Sequence, residues 1–581
     1  MSSKPERPLC PLIEYCEPHD ILKVSYWTRH GDPSLLPKFL SETSLAKAVK
    51  EHHEKRWLSD KLAAAIARPF FDSVDYVKGD LDSGMLFFIP VYEPEGRAIV
   101  IWSHEDRVKL QDYLWDLCEK WLRSNVRLEE IYRRLNEKLA YFPADTWAPV
   151  SSLKAHHIST AILHEQDEGI LKSAVKESID RDGYAELILI TIGLDESAFH
   201  RLKELREFER LRRETVERLR YLLFGRLKSS YGVTLPLLRV GDELITMTVN
   251  RVVSRVPIVN AVLNTLAELN IRCVVRVTRF RVEQKRSEKR REMYYVVTGR
   301  SGEEEYGVGI VLEEGVEAGK AEFARYMDSP LVAWVFLEPD GELPELCERF
   351  ITDYASKVME HIATEYKLGK WSLVDVRSLV SPDMMLTIAD CYNRFLEDLL
   401  REVKSVAPVI MSFHRSILLA GLRSVEHGFK LHEDILKVRG RIHIPVKIAT
   451  VVTYPKNPFW RVFELKLNFP DAMTVYPRGG MPLSLKEEDF KLMMNIRGML
   501  KSIKSTVWHE EILPCAARSL SELEFELERL SSGRGKITRE QADKIMEFAR
   551  KLDYNHRDEP EDIRRRVRLA AFKRLADFTG R

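Results

Sequence analysis

A His-Asp dipeptide near the amino end, His19-Asp20, is the first group in the sequence that could do chemistry. Two adjacent histidines follow it, His52 and His53, and then Asp60. Histidine and aspartate side chains gathered around one or two divalent metals can activate a water molecule and neutralise a phosphate. His19 and Asp20 are therefore candidate catalytic residues, and all five residues are candidate metal ligands.

Helical geometry limits this metal-site hypothesis. Adjacent residues on a helix point about 100° apart, so only one of His52 and His53 would normally face a metal. Asp60 lies about two turns beyond His52, on the same face if the helix continues. The competing interpretation is that these polar residues are solvated on the surface of charged helices, where such residues usually lie.

Carboxylates beside turns between strand-like runs form a second kind of candidate site. A nucleotide-polymerising or cyclase site needs one acid at the end of a first strand and others in a neighbouring hairpin, where they hold two divalent ions. In the first such arrangement, Asp195 follows a strand, and the hairpin RVGDELITM supplies Asp242 and Glu243. Gly193 stands where the first carboxylate is needed, and Asp and Gly also favour hairpin turns for backbone reasons alone.

A second arrangement of the same kind follows later in the chain. Glu338 and Asp340 end a strand, and Asp375 lies in WSLVDVRSLVSP, a candidate hairpin. This set also lacks some of the acids that a two-metal site needs. Each of its acids can equally be explained as a turn residue.

A basic stretch could follow a phosphate backbone, because Arg and Lys alternate there with strand-forming residues. The candidate nucleic-acid-binding residues are Arg276, Arg279, Arg281, Lys285, Arg286, Lys289, Arg290 and Arg291. Glu283, Glu288 and Glu292 interrupt the stretch, so its charge pattern fits a solvated hairpin loop equally well.

The elements that must position these residues are read from the spacing of apolar residues. Residues 1–140 have mostly helical spacing and 141–180 form a helical connector. A β-α-β-β-α-β order, which is typical of ferredoxin-like units, covers 181–310 and recurs over 311–480. Residues 481–581 are charged and helical. The predicted fold class is α+β and multidomain, with a helical amino-terminal domain, two ferredoxin-like domains and a carboxy-terminal helical bundle.

The overall composition is that of a folded globular protein, with 45% hydrophobic and 31% charged residues in 581. Lys and Arg total 90 against 89 for Asp and Glu, so net charge neither predicts nor excludes a nucleic-acid partner. The seven cysteines contain no C-x-x-C pair, which argues against a disulfide framework. No leader peptide or long apolar run is evident, so we expect a cytoplasmic protein with no membrane partner.

Several motifs occur in an order that resembles the large subunit of type III CRISPR effector complexes. HDILK resembles the family's HDIGK, AVKEHH resembles its later His-His, and SDKLAAAIAR resembles its A-D-x-L-S-A-G-x-x-R. FPADTWAPVSSLKAHHISTAI is similar to P-A-D-T-R-x-P…S-L-x-D-H-x-x-x-T-A. There Trp147 replaces Arg and Ala155 replaces Asp, while Asp145, His156 and Thr160 match. VSPDMMLTIA and ATVVTYPKNPFWRVFEL resemble segments of the family's second palm domain.

This resemblance implies an HD nuclease domain, two palm domains and a carboxy-terminal helical domain. It implies partners as well: CRISPR RNA, target RNA and other effector subunits. It also implies cleavage of single-stranded DNA by the HD domain with a divalent metal such as Mn²⁺, Ni²⁺ or Mg²⁺. The catalytic GGDD hairpin of the family lies in the second palm, and counting back from Pro382 puts that position on residues 373–376. Only Asp375 remains there, and the strand acid is Glu338, so we expect cyclic oligoadenylate synthesis and ATP binding to be lost.

Two alternatives stay open on the sequence alone. One is a purely structural large subunit in which both the HD site and the palm site are silent. The other is a stand-alone GGDEF-like nucleotidyl cyclase that works through Asp195, Asp242 and Glu243 in the first palm.

Overall fold

The structure is a computed structural model in which helical and sheet-containing units alternate along the chain, as expected for an α+β multidomain protein. It describes residues 18–54, 58–67, 82–93, 99–145, 148–166, 168–194, 205–240, 243–269, 271–286, 293–308, 329–367, 380–406, 409–413, 417–455, 457, 459–468, 471–476, 482–533, 535–555, 569 and 573.

The amino-terminal part of the chain is mainly helical. Short 3₁₀ turns over Ile21–Val24, Trp27–Arg29 and Pro33–Leu35 lead into α1 (Ser44–Glu54), α2 (Leu58–Ala67), α3 (His104–Arg123) and α4 (Leu128–Lys138). Between α2 and α3, β1 (Leu86–Phe88) pairs antiparallel with β2 (Val100–Trp102). A capping box starts α3, because the Ser103 hydroxyl accepts from the Asp106 backbone N–H and the Asp106 carboxylate accepts from the Ser103 N–H.

A connector joins this helical part to the first sheet. It contains the paired strands β3 (Pro143–Asp145) and β4 (Ala148–Ser152), then α5 (Leu153–His164) and α6 (Glu168–Asp182). The Ser152 hydroxyl accepts from the Ala155 N–H at 3.1 Å and so caps α5. Most of α5 is buried, because α2 and α4 and the first sheet surround it.

The first sheet has five antiparallel strands in the order β11-β10-β5-β7-β6. The strands are β5 (Ala185–Leu194), β6 (Leu238–Val240), β7 (Glu243–Val249), β10 (Cys273–Arg286) and β11 (Met293–Val308). Helix α7 (Leu205–Tyr231) lies between β5 and β6 in the chain, and α8 (Ile258–Glu268) lies before β10. The order of the four strands other than β11 is that of a βαββαβ unit. A small hairpin, β8 (Val252–Val253) with β9 (Val256–Pro257), precedes α8.

Both faces of the first sheet are covered, and the sequence of β5 reflects this. Leu187 and Leu189 point into a core shared with α2, α5 and α6, whereas Ile188, Ile190 and Ile192 point into a core shared with α7 and α8. A strand buried on both faces is a continuous apolar run without alternation, which is what the sequence shows at 185–194.

The second sheet repeats this topology and extends it. Its order is β13-β14-β12-β15-β16-β17, and only β15 and β16 are parallel. The strands are β12 (Leu331–Pro339), β13 (Val409–Phe413), β14 (Ile417–Leu422), β15 (Val446–Thr453), β16 (Ala472–Val475) and β17 (Leu483–Lys486). The helices are α9 (Leu343–Phe350), a π turn over Ile351–Ala355, α10 (Ser356–Glu365), α11 (Pro382–Val406), α12 (Val425–Arg439) and α13 (Phe459–Asn468).

The hairpin of the second unit is not where the sequence pattern suggested. In the strand order, β13 and β14 take the place that β6 and β7 take in the first sheet, so the hairpin covers 409–422. We expected it within 371–382, of which 371–379 lie outside the described residues and 380–382 lead into α11. The hairpin was missed because its short connection, residues 414–416, carries no Gly, Asn or Asp turn signal.

The first of the carboxy-terminal helices packs against β16 and β17 of the second sheet, and the later ones pack on it and on one another. These helices are α14 (Glu487–Ser502), α15 (Leu513–Arg518), α16 (Leu520–Glu528) and α17 (Arg539–Asn555), with π turns over Val507–Ile512 and Arg529–Gly533. Arg497 and Lys501 of α14 contact Glu426 of α12 at 2.6 and 3.0 Å. Within the described part of the chain, no helix is both long and apolar enough to cross a bilayer.

Candidate metal centre

The His19-Asp20 dipeptide is buried at the start of the first 3₁₀ turn. His19 and Asp20 are 4% and 1% exposed. The turn is closed by a backbone hydrogen bond from the Ile21 N–H to the Pro18 carbonyl, 2.9 Å long. Ile21 and Leu22 are fully buried in the amino-terminal core, so packing of the apolar residues holds the polar pair inside the protein.

Helix α5 supplies a third residue to this place, His156. Its Nε2 lies 3.3 Å from Asp20 Oδ2, and the ring centroids of His19 and His156 are 5.9 Å apart. One potential ligand atom from each of His19, Asp20 and His156 lies within 4.8 Å of the others. Among the residues that the structure describes, this is the place where at least three His, Cys, Asp or Glu side chains come close enough to hold one metal ion.

Other polar groups fix Asp20 in position. Lys23 Nζ lies 2.6 Å from Asp20 Oδ2, and His30 Nε2 lies 3.6 Å from Oδ1. The Asp20 backbone N–H donates to His157 Nε2 at 3.3 Å. Because that nitrogen accepts, the His157 Nδ1–H is the donor in its 2.7 Å bond to Asn136 Oδ1. His157 therefore supports the backbone of the dipeptide and is not free to turn toward a metal.

A carboxylate from the second sheet unit completes the surroundings of His156. Asp383, near the start of α11, is fully buried, and its Oδ2 lies 3.6 Å from His156 Nδ1. Burial disfavours the imidazolium, but the carboxylates of Asp20 and Asp383 outweigh burial and raise the pKa of His156 to about 9. Without a metal, the two carboxylates are balanced by Lys23 and a protonated His156.

The donor set fits a divalent metal. Two imidazoles and a carboxylate are the ligands that Mn²⁺, Fe²⁺, Ni²⁺ and Zn²⁺ take in proteins. Both ring nitrogens of His156 are buried without a hydrogen bond of normal geometry, although each faces a carboxylate. Buried nitrogens in that condition are suited to bind a metal. His156 must lose its proton to ligate, so metal binding would compete with protonation.

The structure brings together only part of the ligand set expected from the sequence. His19 and Asp20 lie side by side as predicted. Helices α1 and α2 are present, but the side chains of His52, His53 and Asp60 lie outside the part of the chain that the structure describes. His156 and Asp383 were not among the predicted ligands. One signal was available for His156, because it matches the histidine of the family motif that SSLKAHHISTAI resembles.

Of the three candidate acids of the first sheet, the structure describes Glu243, at the start of β7. Glu243 is paired with Gly193 across the sheet, and its carboxylate lies 3.7 Å from Arg276. Arg276 also contacts Glu305 and Glu342, each at 2.9 Å. Asp195 and Asp242, the other two candidate acids, lie outside the described residues. Glu243 is thus part of an ion-pair group around Arg276.

The acids of the second sheet are paired with basic residues. Glu338 forms an ion pair with Lys466. Asp340 contacts Lys447 at 2.6 Å and Arg349 at 3.2 Å, and these two cations hold its pKa below the usual range. Asp375 lies outside the described residues. The connection between β13 and β14, His414-Arg415-Ser416 in sequence, contains no carboxylate that could join them at the hairpin.

The basic residues of β10 lie among glutamates of neighbouring strands. Arg279 contacts Glu186 and Glu304 at 2.8 and 2.9 Å. Arg281 is exposed, contacts Glu283 at 3.3 Å and lies over the ring of Tyr184 at 4.0 Å. The remaining candidates fall into two groups. Lys285 and Arg286 lie toward the far end of the strand, whereas Lys289, Arg290 and Arg291 lie outside the described residues.

No protein-family model matches this sequence, and no curated protein matches it. Among solved structures, it is similar to a chain of a Csm1–Csm4 subcomplex from the type III-A CRISPR-Csm interference complex. That match has 11% identity, a TM-score of 0.49, and covers 96% of this chain and 98% of that one. A Csm1–Csm4 cassette in complex with one ATP matches at 12% identity, with a TM-score of 0.47 and coverage of 91% and 98%. Csm1 in T. onnurineus matches at 10% identity, with a TM-score of 0.47 and coverage of 92% and 98%.

Proposed function

We propose that this chain is a divergent large subunit of a type III CRISPR ribonucleoprotein complex, with a metal-dependent nuclease centre at His19, Asp20 and His156. The observation that carries the proposal is the convergence of two separate sequence motifs. HDILK and SSLKAHHISTAI resemble two motifs of that family, and His156 from the second lies 3.3 Å from Asp20 of the first. The family resemblance was based on the order of the motifs along the sequence. The contact between His156 and Asp20 is independent of that order, because it depends on the fold.

His19, Asp20 and His156 would hold the metal ion. A divalent ion bound there lowers the pKa of a water ligand and neutralises phosphodiester charge, which is the chemistry needed to cut single-stranded DNA. The protein's own residues position the ligands: His157 holds the backbone of Asp20, and Asp383 faces His156. The side chains of the three ligands are nearly fully buried.

Replacing His19 and Asp20 together by alanine tests the nuclease proposal. We expect metal-dependent cleavage of single-stranded DNA, assayed with Mn²⁺, Ni²⁺ and Mg²⁺, to fall at least 100-fold, because two ligands are lost. His361→Ala is the matched control, since that imidazole is 67% exposed on α10 and belongs to no site described above. Cleavage that persists in the double variant would exclude this centre as the nuclease.

The two βαββαβ units and the carboxy-terminal helices are proposed to bind CRISPR RNA, target RNA and other effector subunits. This part of the proposal rests on the motif resemblance and on the repeated strand order. Synthesis of cyclic oligoadenylates from ATP is not proposed. The second sheet pairs its strand acids with lysines, and the sequence of its hairpin connection has no acid. The co-purification of this chain with CRISPR RNA and neighbouring gene products would test the assembly directly.

One contact favours a second candidate function, a large subunit whose metal centre is silent. The Lys23 ammonium lies 2.6 Å from Asp20 and already neutralises the carboxylate that a metal would need. Ala155 also stands where the related family motif has an acid. Calorimetric titration of the purified chain separates the two functions. No uptake of Mn²⁺ or Ni²⁺ at micromolar concentration would favour the structural role.

A further inference from the structure

The carboxylate of Asp383 reaches the candidate metal centre from a different unit of the protein. Asp383 belongs to α11, which packs on the second sheet, whereas His156 belongs to α5 of the connector. Asp383 is fully buried, and its Oδ2 lies 3.6 Å from His156 Nδ1. A charged carboxylate that is completely removed from water is costly unless nearby groups compensate it.

A structural role for Asp383 explains only one of its two carboxylate oxygens. The Ser159 hydroxyl donates to Oδ1, and an acid in the first turn also interacts favourably with the positive end of helix α11. Oδ2 is different: it is buried, makes no hydrogen bond of normal geometry and points toward His156. The side chain is therefore aimed at the imidazole in a way that helix capping does not require.

The contact between His156 Nδ1 and Asp383 determines which ring nitrogen of His156 can bind a metal. An imidazole whose Nδ1–H points at a carboxylate presents the lone pair of Nε2 on its other side. In this structure the other side is where Asp20 lies, 3.3 Å from Nε2. A carboxylate behind the ring thus selects the tautomer and the ring orientation that a metal shared with Asp20 needs.

Asp383 is held in this position by a row of polar contacts along one face of α11. Thr387 accepts from the Ser152 N–H at 3.1 Å, and Asp390 contacts Lys154 at 2.5 Å. Further along, Arg394 contacts Glu137 at 2.6 Å and Asp398 accepts from the Tyr92 hydroxyl at 2.8 Å. Residues spaced by three or four lie on one helix face, so α11 docks as a unit on the amino-terminal part.

We propose that Asp383 is the positioning residue for His156, so that the metal centre is completed by the second sheet unit and depends on the docking of α11. The proposal rests on the proposed function, because it concerns the same centre. It makes α11 the physical connection between that centre and the second sheet.

Metal binding by the full-length chain tests this inference. Asp383→Asn keeps the size of the side chain and removes its charge. We expect the affinity for Mn²⁺, measured by calorimetry, to fall about 10- to 100-fold. The absorption bands of bound Co²⁺ in the visible range should also change in shape, because the orientation of His156 changes. Asp383→Glu is expected to restore part of the affinity.

Glu402→Gln is the matched control, because it removes an exposed carboxylate from the same helix and takes part in none of the contacts that dock α11. Wild-type affinity and an unchanged Co²⁺ spectrum in Asp383→Asn would overturn the inference while leaving the nuclease proposal standing. Absence of metal binding by the wild-type chain would overturn both.

Should Asp383→Asn fail to fold, Ser159→Ala serves as a second variant. It leaves both charges in place and removes only the hydroxyl that holds Oδ1. A carboxylate that positions His156 should then give a several-fold loss of Mn²⁺ affinity. No loss at all, in a variant with a normal melting temperature, would contradict the positioning role.

Discussion

At the scale of single residues, the candidate metal centre balances its charges internally. Asp20 and Asp383 are the carboxylates, and Lys23 and a protonated His156 are the cations. Each of these groups is buried or nearly so, where electrostatic interactions are stronger than in water. A metal ion must therefore displace a proton or a lysine contact, and the affinity of the centre depends on how firmly Lys23 is held.

Replacing Lys23 by methionine should strengthen metal binding. The ammonium lies 2.6 Å from Asp20 Oδ2, so its removal frees the carboxylate and removes repulsion of an incoming cation. We expect an increase in Mn²⁺ affinity of about tenfold, or ~1.4 kcal/mol, by calorimetry. Lys47→Met is the control. Lys47 is exposed, and its ion pair with Glu51 is long at 3.9 Å. Equal affinities of Lys23→Met and the wild type would show that the lysine does not compete with the metal.

A buried histidine far from the metal centre in sequence, His432, should make stability depend on pH. Burial lowers the pKa of His432 from its usual 6.5 to about 4, while its Nδ1 lies 2.8 Å from the Thr450 hydroxyl. The unfolded chain therefore binds a proton at a higher pH than the folded chain does. Its contribution to stability is complete above pH 6.5 and is lost as the pH falls from 6.5 toward 4. The upper limit of the loss is on the order of 3 kcal/mol.

Thermal unfolding of His432→Gln measures this effect. The variant should have a lower melting temperature than the wild type at pH 7.5, since packing is disturbed. Between pH 7.5 and pH 5, its melting temperature should fall less than that of the wild type, because its side chain does not titrate. His361→Gln, at an exposed position, should show the wild-type dependence. Parallel curves for His432→Gln and the wild type would refute the assignment.

At the scale of elements, four of the five strands of the first sheet could be predicted from the sequence, whereas the second sheet could be predicted only in part. The strands of the first unit are bounded by clear turn residues, and the helix before β6 ends at Gly232, whose φ of 67° ends it in the left-handed region. In the second unit, β13 and β14 lack such a signal, whereas the sequence at 371–382 has the pattern of a hairpin. Local patterns thus locate elements well only where turn residues separate them.

The same distinction between local and tertiary information applies to the candidate site. His19 and Asp20 form a recognisable dipeptide, so sequence alone identified them. Their contacts with His156 and Asp383 depend on how α5 and α11 pack, which periodicity within one helix does not report. Of the acids expected at strand ends, Glu338 and Asp340 lie at the end of β12, and their lysine and arginine partners come from other elements.

Helix α12 should tolerate no side chain at Gly428. A Cβ there would lie 2.9 Å from Val452 and 3.2 Å from Leu422, because the helix packs directly on β14 and β15. We expect Gly428→Ala to destabilise the protein by about 1–3 kcal/mol through overpacking, measured as a lower melting temperature. Gly225→Ala is the matched control, since nothing lies within 4 Å of an added Cβ in α7. An alanine in that helix should stabilise by about 1 kcal/mol. Equal melting temperatures for the two variants would contradict this account.

At the scale of the whole molecule, the amino-terminal part and the second sheet unit are joined by buried polar contacts. Lys154 and Arg394 lie between the carboxylates of Glu137 and Asp390, with distances of 2.5 to 3.1 Å. Burial favours the neutral form of Asp390, but Lys154 and Arg394 outweigh it and hold its pKa below the usual range. This four-residue ionic group links α4, α5 and α11 close to the metal centre.

Removing one charged side chain of this group should destabilise the protein more than removing a cation and an anion together. Asp390→Asn leaves the two cations with the Glu137 carboxylate alone, and removing one partner of a partly buried ion pair costs about 1–3 kcal/mol. The double variant Lys154→Met with Asp390→Leu removes a cation together with an anion, so it should recover most of the lost melting temperature. Lys544→Met, at an exposed ion pair of α17, should change stability by less than about 1 kcal/mol. If the effects of Lys154→Met and Asp390→Leu simply add, the group does not act as a unit. In that case the position of α11, and with it that of Asp383, must be set by apolar packing instead.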